Sequence, residues 1–385
     1  MQIKEADQEI LEENERLYWS YTAGKPGPVL VLMVGMHGNE PAGVIAVKRI
    51  AEKFRKFEGE FYGSVYAIAG NLKALEQGVR YIDTDLNRLW ELFNTSRDYS
   101  QRNGAAKPAE YKESLEIKRV IEAILNRHAD NLENFVFADL HTTSSRSCAF
   151  ILLNDTLENR EIARKFPVPQ ILGIEENIQG TLLSYINNLG FRALGFEAGA
   201  HQDELSIERS EAFLHLLLHH AGNIELTDSE LRKQSDIIEV YENVPNTYYE
   251  VIHHKMVDNA MDFQMIEGFE NFLPIEKNRP LAYEHGNLIR APKSGRIFMP
   301  LYQKKGRDGF LIIKEVSPFW LEVSGYLRRS SVHKILRFLP GVKQTGNRSF
   351  EVDLNVARFL VKDIFHLLGY RVTEKNEFTL ICYRR

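Results

Sequence analysis

From residue 28 to residue 222 the chain alternates short apolar runs with amphipathic stretches, and this alternation limits the possible folds more than any other feature. Apolar runs lie at 28–34 (PVLVLMV), 64–69 (SVYAIA), 134–140, 148–153, 168–172 and 193–197. Between or after them come 42–57, 113–127, 158–165, 181–188 and 206–220, whose apolar residues recur at helical spacing. Strands apolar along their whole length need cover on both faces. The pattern therefore predicts an α/β domain, a mixed or mostly parallel sheet flanked by helices. With 385 residues, 44% of them hydrophobic, the chain can bury a sizeable core and has length left for a second domain.

The pattern changes near residue 222. From 237 to about 323 the runs are short and strand-like (EVYENV, YYEVIHH, NLIRAP, RIFMPL, DGFLIIKEV), with Gly and Pro punctuating them, which predicts a β-rich domain. Beyond 331 the spacing predicts a helix over 353–368 stopped by Gly369, then a hairpin in YRVTEKNEFTLICYRR. The expected division is 1–222, 223–330 and a small α+β segment at 331–385.

Composition excludes some functions. A formal charge of −5 offers no basic face for nucleic acid. Two cysteines, Cys148 and Cys382, rule out a disulfide framework and leave any metal site to His and carboxylate. The N-terminal MQIKEADQEILEENER is charged and lacks the apolar core of a secretory signal, and no stretch reaches the roughly 18 apolar residues of a membrane helix. A cytoplasmic protein without membrane contact is expected.

Chemistry concentrates where apolar runs end. His37-Gly38-Asn39-Glu40 follows VLVLMVG, and Pro41 suits the start of a helix, so the four residues read as a tight turn. One imidazole and one carboxylate then converge at a strand end, where open α/β sheets bind ligands, and that pair suits zinc. The alternative is chance, since H-x-x-E also occurs at His201–Glu204. FVFADLHTT offers a third ligand, His141, with Asp139 two positions earlier on the same side to hydrogen-bond it; a merely capped histidine is the alternative. Two His and one Glu leave a position open for water, the arrangement of a catalytic rather than a structural zinc site. GFEAGAH places Glu197 at another strand end as a general base, against the alternative of a solvated loop glutamate. RYIDTDLNRLW (80–90) is either an arginine-bearing wall that binds oxyanions or a surface salt-bridge network.

Taken together, GMHGNEPAG, RYIDTDLNR, DLHTT and GFEAG, in that order, resemble the aspartoacylase/succinylglutamate desuccinylase family, relatives of the zinc carboxypeptidases. The resemblance implies a zinc-carboxypeptidase-like fold with a mixed sheet, zinc held by His37, Glu40 and His141, and Glu197 as the base. It also implies that Arg80 polarises the scissile carbonyl and that Asn87 and Arg88 grip a substrate carboxylate. His201-x-x-Glu204 matches nothing in the family pattern and reads as the chance copy. Asn187 stands ten residues before Glu197, where aspartoacylases carry an arginine for a second carboxylate. With Arg192 and Arg146 as the other basic candidates, a substrate with one carboxylate is expected over N-acetylaspartate.

The expected activity is zinc-dependent hydrolysis of the amide bond of a small N-acyl amino acid by metal-activated water. The β-rich domain is expected to wall the site against long peptides. Rival expectations are a metal-dependent carboxypeptidase or esterase on the same fold and a non-catalytic zinc- or ligand-binding homologue. A homo-oligomer stays open.

Overall fold

The structure, a computed structural model, describes residues 10–11, 14–94, 107–239, 244, 246–330, 332–357 and 361–384. The strands of the first half are β1 (Leu17–Thr22), β2 (Val29–Val34), β3 (Ser64–Ala69), β4 (Phe135–Thr143), β5 (Phe150–Leu153), β6 (Gln170–Leu172) and β7 (Arg192–Ala200). Then come β8 (Tyr248–Met256), β9 (Phe263–Met265), β10 (Pro274–Ile275), β11 (Pro280–Glu284), β12 (Asn287–Arg290), β13 (Gly295–Phe298) and β14 (Asp308–Val316). The last four are β15 (Val342–Gly346), β16 (Ser349–Asp353), β17 (Arg371–Asn376) and β18 (Thr379–Tyr383).

One mixed sheet runs β1-β3-β2-β4-β7-β5-β6-β8-β14-β13-β10, so strands from both sides of residue 222 share it. β9, β11 and β12 form a second sheet, and β15 to β18 a third. The expected mixed α/β architecture with added β-rich sheets is thus what the chain adopts.

The apolar sequence of β2, VLVLMV, shows why this sheet lies between helices. Leu30, Leu32 and Val34 pack with Val44, Val47 and Ile50 of helix Ala42–Phe54 and with Phe213 and Leu217 of helix Leu205–Ala221. Val29, Val31 and Met33 pack on the other face with Ile117, Val120, Ile121 and Ile124 of helix Ala109–Arg127. Alternate residues of a strand point to opposite faces, and here both faces are core. β3, β2, β4 and β7 are mutually parallel, which brings the carboxyl ends of β2, β4 and β7 to one edge.

Several expectations need correcting. β4 does not end at His141 but continues to Thr143, and β7 does not end at Glu197 but continues to Ala200, so both residues lie inside their strands. β1 was not expected; LYWSYT pairs antiparallel with β3 and closes that edge. Helix Asp228–Ile238 was also missed, although Thr227 and Glu230 form a reciprocal capping box at its start. Its only fully buried residue is Ile238, so it carries little apolar periodicity to read. The region expected to be all β contains helix Pro318–Arg329, begun by Ser317-Pro318. Over 353–368 the helix is confined to Val361–Leu367 and is preceded by β16, while 358–360 lie outside the described residues. EVYENV falls mostly outside the described residues too. Gly369 does stop the helix, at φ +80°, and β17–β18 is the expected hairpin.

Phe196, next to Glu197 on β7, stacks on Phe213 with ring centroids 4.0 Å apart and planes within 5°. This contact ties the sheet to helix Leu205–Ala221, and both rings are fully buried. Phe213→Ala is expected to lower the unfolding free energy by about 3–5 kcal/mol, as large-to-small core substitutions of phenylalanine do. Urea unfolding followed by circular dichroism measures it. An unchanged midpoint would show that the helix is held elsewhere.

Candidate active site

β2 ends at Val34 and the chain turns through Gly35, at φ +67°, into His37–Glu40. Gly38 passes so close to helix Leu72–Gln77 that a Cβ there would lie 2.0 Å from the Ala74 carbonyl, so the turn needs glycine. The Glu40 N–H donates to the His37 carbonyl at 3.2 Å, closing the turn. His37 Nδ1 then lies 2.8 Å from Glu40 Oε1. From β4, His141 Nδ1 lies 3.0 Å from Glu40 Oε2, and the Thr142 N–H donates to that same oxygen at 3.0 Å. One ligand atom from each of His37, Glu40 and His141 lies within 4.8 Å of the others, a span that fits a single ion.

The outer face of each ring is also gripped. His37 Nε2 is 3.0 Å from Asp85 Oδ1, and His141 Nε2 is 2.9 Å from Asp139 Oδ2. A histidine that gives its Nε2–H to a carboxylate presents a lone pair at Nδ1, the tautomer that metal-binding histidines adopt. Two such lone pairs facing the oxygens of Glu40 repel unless a proton or a cation lies between them. The donor set of two nitrogens and a carboxylate suits zinc. Burial works to raise the Glu40 pKa, but His37 and His141 hold it well below the usual carboxylate range. Burial likewise works to lower the His141 pKa, but Asp139 and Glu40 raise it well above the usual imidazole value.

Sheet register sets Glu197 beside His141, its partner across β4–β7. Glu197 is 3% exposed, and its Oε2 has no hydrogen-bond partner among the described residues. Burial pushes its pKa up to about 8, against the opposing pull of His141. Arg80 reaches the same place from the loop after helix Leu72–Gln77. Its Nη2 is 2.9 Å from Asp85 Oδ2 and its Nη1 3.6 Å from Glu40 Oε1. Asp85 therefore orients both Arg80 and His37.

The remaining expected site residues fall out differently. Asn87 Oδ1 accepts from the N–H of Leu182 at 2.9 Å, at the start of helix Leu182–Asn188. Arg88 Nη2 pairs with Asp308 Oδ2 at 2.6 Å, and Asp308 Oδ1 is 3.0 Å from His254 Nε2. The Asn187 expectation is corrected: this buried side chain donates to the Phe191 carbonyl and accepts from Asn159, near the start of β7. Arg192 opens β7, five residues before Glu197, or about 16 Å away along an extended strand. Its guanidinium bonds the carbonyls of Glu133 and Phe135 at the far end of β4. Arg146 is largely exposed and faces Glu270 at 3.6 Å. Asn187 therefore bears on packing at the opposite end of the sheet, not on substrate charge.

Two features escaped the sequence reading. Glu110, 0% exposed, accepts from the N–H groups of Ile82, Asp83 and Thr84 and from Asn71 Nδ2, at 2.7–3.2 Å. It fixes the loop that carries Arg80, Asp85 and Arg88. A glutamate in the first turn of a helix carries no sequence signal of such a role. The second feature is which part of the β-rich region comes to this place, the connection from β13 to β14. Gln303 faces Asn39 at 3.5 Å, Lys305 donates to the Tyr81 carbonyl at 2.9 Å, and Ser144 faces the Pro300 carbonyl at 3.4 Å.

Solved structures share this fold at low identity. A succinylglutamate desuccinylase/aspartoacylase from Rhodobacter sphaeroides is 16% identical, with TM-score 0.55 over 76% of this chain and 87% of that one. A succinylglutamate desuccinylase from Vibrio parahaemolyticus is 14% identical, with TM-score 0.53 over 82% and 97%. The sequence profile of the succinylglutamate desuccinylase/aspartoacylase catalytic domain matches residues 26–220, just over half of the chain, and the chain belongs to that family. Rat aspartoacylase is 33% identical over 137 residues, 34% of this chain and 40% of its own. A succinylglutamate desuccinylase of Pseudomonas paraeruginosa is 28% identical over 206 residues, 50% of this chain and 58% of its own. The chain thus matches between two fifths and three fifths of the length of these two relatives.

Two outcomes are expected. In Glu110→Ala, three backbone N–H groups lose their buried acceptor, so amide exchange at residues 82–84 should accelerate at least about tenfold while β2 stays protected. Unchanged exchange would show that the carboxylate does not hold the loop. Glu197 titrates higher folded than unfolded, so in metal-free protein its contribution to stability is greatest at low pH and is lost as pH rises toward about 8. Glu197→Gln should therefore raise the metal-free Tm relative to wild type by a margin that grows from pH 5 to pH 8. A margin that shrinks over that range would reverse the assignment.

Proposed function

We propose that this chain is a zinc-dependent deacylase that hydrolyses the amide bond of a small N-acyl amino acid. The observation that carries the reading is Glu197, buried beside the His37–Glu40–His141 cluster with one oxygen unpartnered among the described residues. A buried carboxylate without partners costs stability, and holding an ion does not require one. Proton transfer does, and it is served best by a pKa near the working pH, as burial produces here. The activities named for the aspartoacylase and desuccinylase relatives support the same reaction class.

His37, Glu40 and His141 would hold the zinc, which when bound supplies Lewis acidity toward a carbonyl oxygen and toward water. Glu197 Oε2 accepts a proton from the attacking water and returns it to the departing amine nitrogen. Arg80, held by Asp85, directs its guanidinium at the carbonyl oxygen, where negative charge develops. Asn87 and Arg88 would grip a substrate carboxylate, with Arg88 shared between that group and Asp308. The 299–307 connection touches Asn39, Tyr81 and Ser144, and this wall favours small substrates over the long peptides of a carboxypeptidase.

The test is a hydrolysis screen of zinc-loaded protein on N-acyl amino acids, dipeptides and esters. Turnover is expected on N-acyl amino acids. Glu197→Gln should keep its zinc and lose about 100-fold or more in kcat, whereas His141→Ala should lose most of its zinc. Cleavage of esters or dipeptides alone would replace the deacylase reading, and a fully active Glu197→Gln would move the base elsewhere.

A further inference from the structure

His201, in the H-x-x-E that the family pattern does not use, is brought to the active site by a local irregularity. Between the pairs His141–Glu197 and Thr143–Ala200, β7 has one residue more than β4, a bulge that contains Gly199 at φ +127°. The extra residue re-aims the end of the strand. The His201 N–H donates to the Thr143 carbonyl at 3.0 Å, and its Nδ1 lies 2.8 Å from Thr142 Oγ1. Thr142 in turn gives its N–H to Glu40. Glu204, the other half of the motif, is exposed at the start of helix Leu205–Ala221, so the motif does not assemble as a ligand pair.

One polar atom of the ring remains. His201 Nε2 is buried and has no hydrogen-bond partner among the described residues. Among the described residues, the charged and titratable groups that act most strongly on this ring are Glu40, Arg80, His37 and His141, all members of the site. Burial lowers its pKa and favours the neutral ring, which has one donor and one acceptor nitrogen. A buried polar atom without a partner calls for an explanation, and a ligand group is one that the location supplies.

We propose that His201 contacts the bound substrate through Nε2, with its ring fixed for that purpose by Thr142. In the tautomer that this role requires, the Thr142 hydroxyl donates to Nδ1, 2.8 Å away, and Nε2–H is left as a donor. The polar groups of an N-acyl amino acid are mostly acceptors, a carbonyl and a carboxylate, so a donor is what such a substrate can use. The inference rests on the proposed deacylase reading only for the identity of the substrate.

The test compares His201→Ala and His201→Gln in wild-type and Glu197→Gln backgrounds. Kinetics with N-acyl amino acids are read in the first, and calorimetric binding of the same compounds without turnover in the second. His201→Ala should lose about tenfold or more in kcat/KM and in affinity, the effect of removing one hydrogen bond to a charged or polarised group. His201→Gln retains an N–H donor and should recover most of that loss, and zinc content should be the same in every protein. Unchanged kinetics and binding in His201→Ala would overturn the proposal. So would an equal loss in both variants accompanied by loss of zinc, which would mark His201 as a support for Thr142 and Glu40. Wild-type activity confined to esters or dipeptides would defeat the deacylase reading alone, and the same variants assayed on that substrate would still decide the role of His201.

Discussion

Glu40, Asp85, Asp139 and Glu197 crowd one end of the sheet, with the rings of His37 and His141 and the Arg80 guanidinium among them. Four largely buried carboxylates around the Arg80 guanidinium, with Arg88 acting on Asp85 as well, leave an excess of negative charge that is costly away from bulk water. Without an ion, protons must compensate: the His141 pKa rises and Glu197 holds its proton toward neutrality. A divalent cation between the two Nδ1 atoms and Glu40 would relieve the excess and let the imidazoles remain neutral. The tight turn at Gly38, the strand register and the Glu110-anchored loop all serve to hold these charges in place.

The sheet was legible because its strands are apolar on both faces, and the helices between them because their apolar residues recur at helical spacing. The candidate site was legible where polar residues adjoin an apolar run and glycine, as at His37, Glu40 and Glu197, although Glu197, expected at a strand end, lies inside β7. What could not be read was long-range. Glu110 reaches back 26–28 residues to three backbone N–H groups, and Asp308 reaches Arg88 across 220 residues. Neither pairing leaves a local pattern. Asn187 shows the opposite failure, because a spacing taken from a resemblance placed a substrate contact at the far end of β7.

The β-rich strands do more than stand beside the sheet that carries the candidate site. β8, β14, β13 and β10 extend it, and the connection from β13 to β14 returns over the turn at Asn39 and the loop at Tyr81. Asp308, the first residue of β14, holds both Arg88 and His254, with its pKa lowered to about 2: burial opposes the shift, and His254 and Arg88 outweigh it. The loop that carries Arg88 is thus tied to a part of the chain 220 residues away in sequence.

Anomalous diffraction at the zinc edge from crystals of the zinc-loaded protein tests the central claim most directly. A single strong peak is expected between His37 Nδ1, His141 Nδ1 and the Glu40 carboxylate, at about 2.0–2.2 Å from each donor atom. Glu197 should be close by but not coordinated. A peak coordinated by Glu197, one centred elsewhere, or no peak in zinc-loaded protein would contradict the assignment of these three residues as the metal ligands.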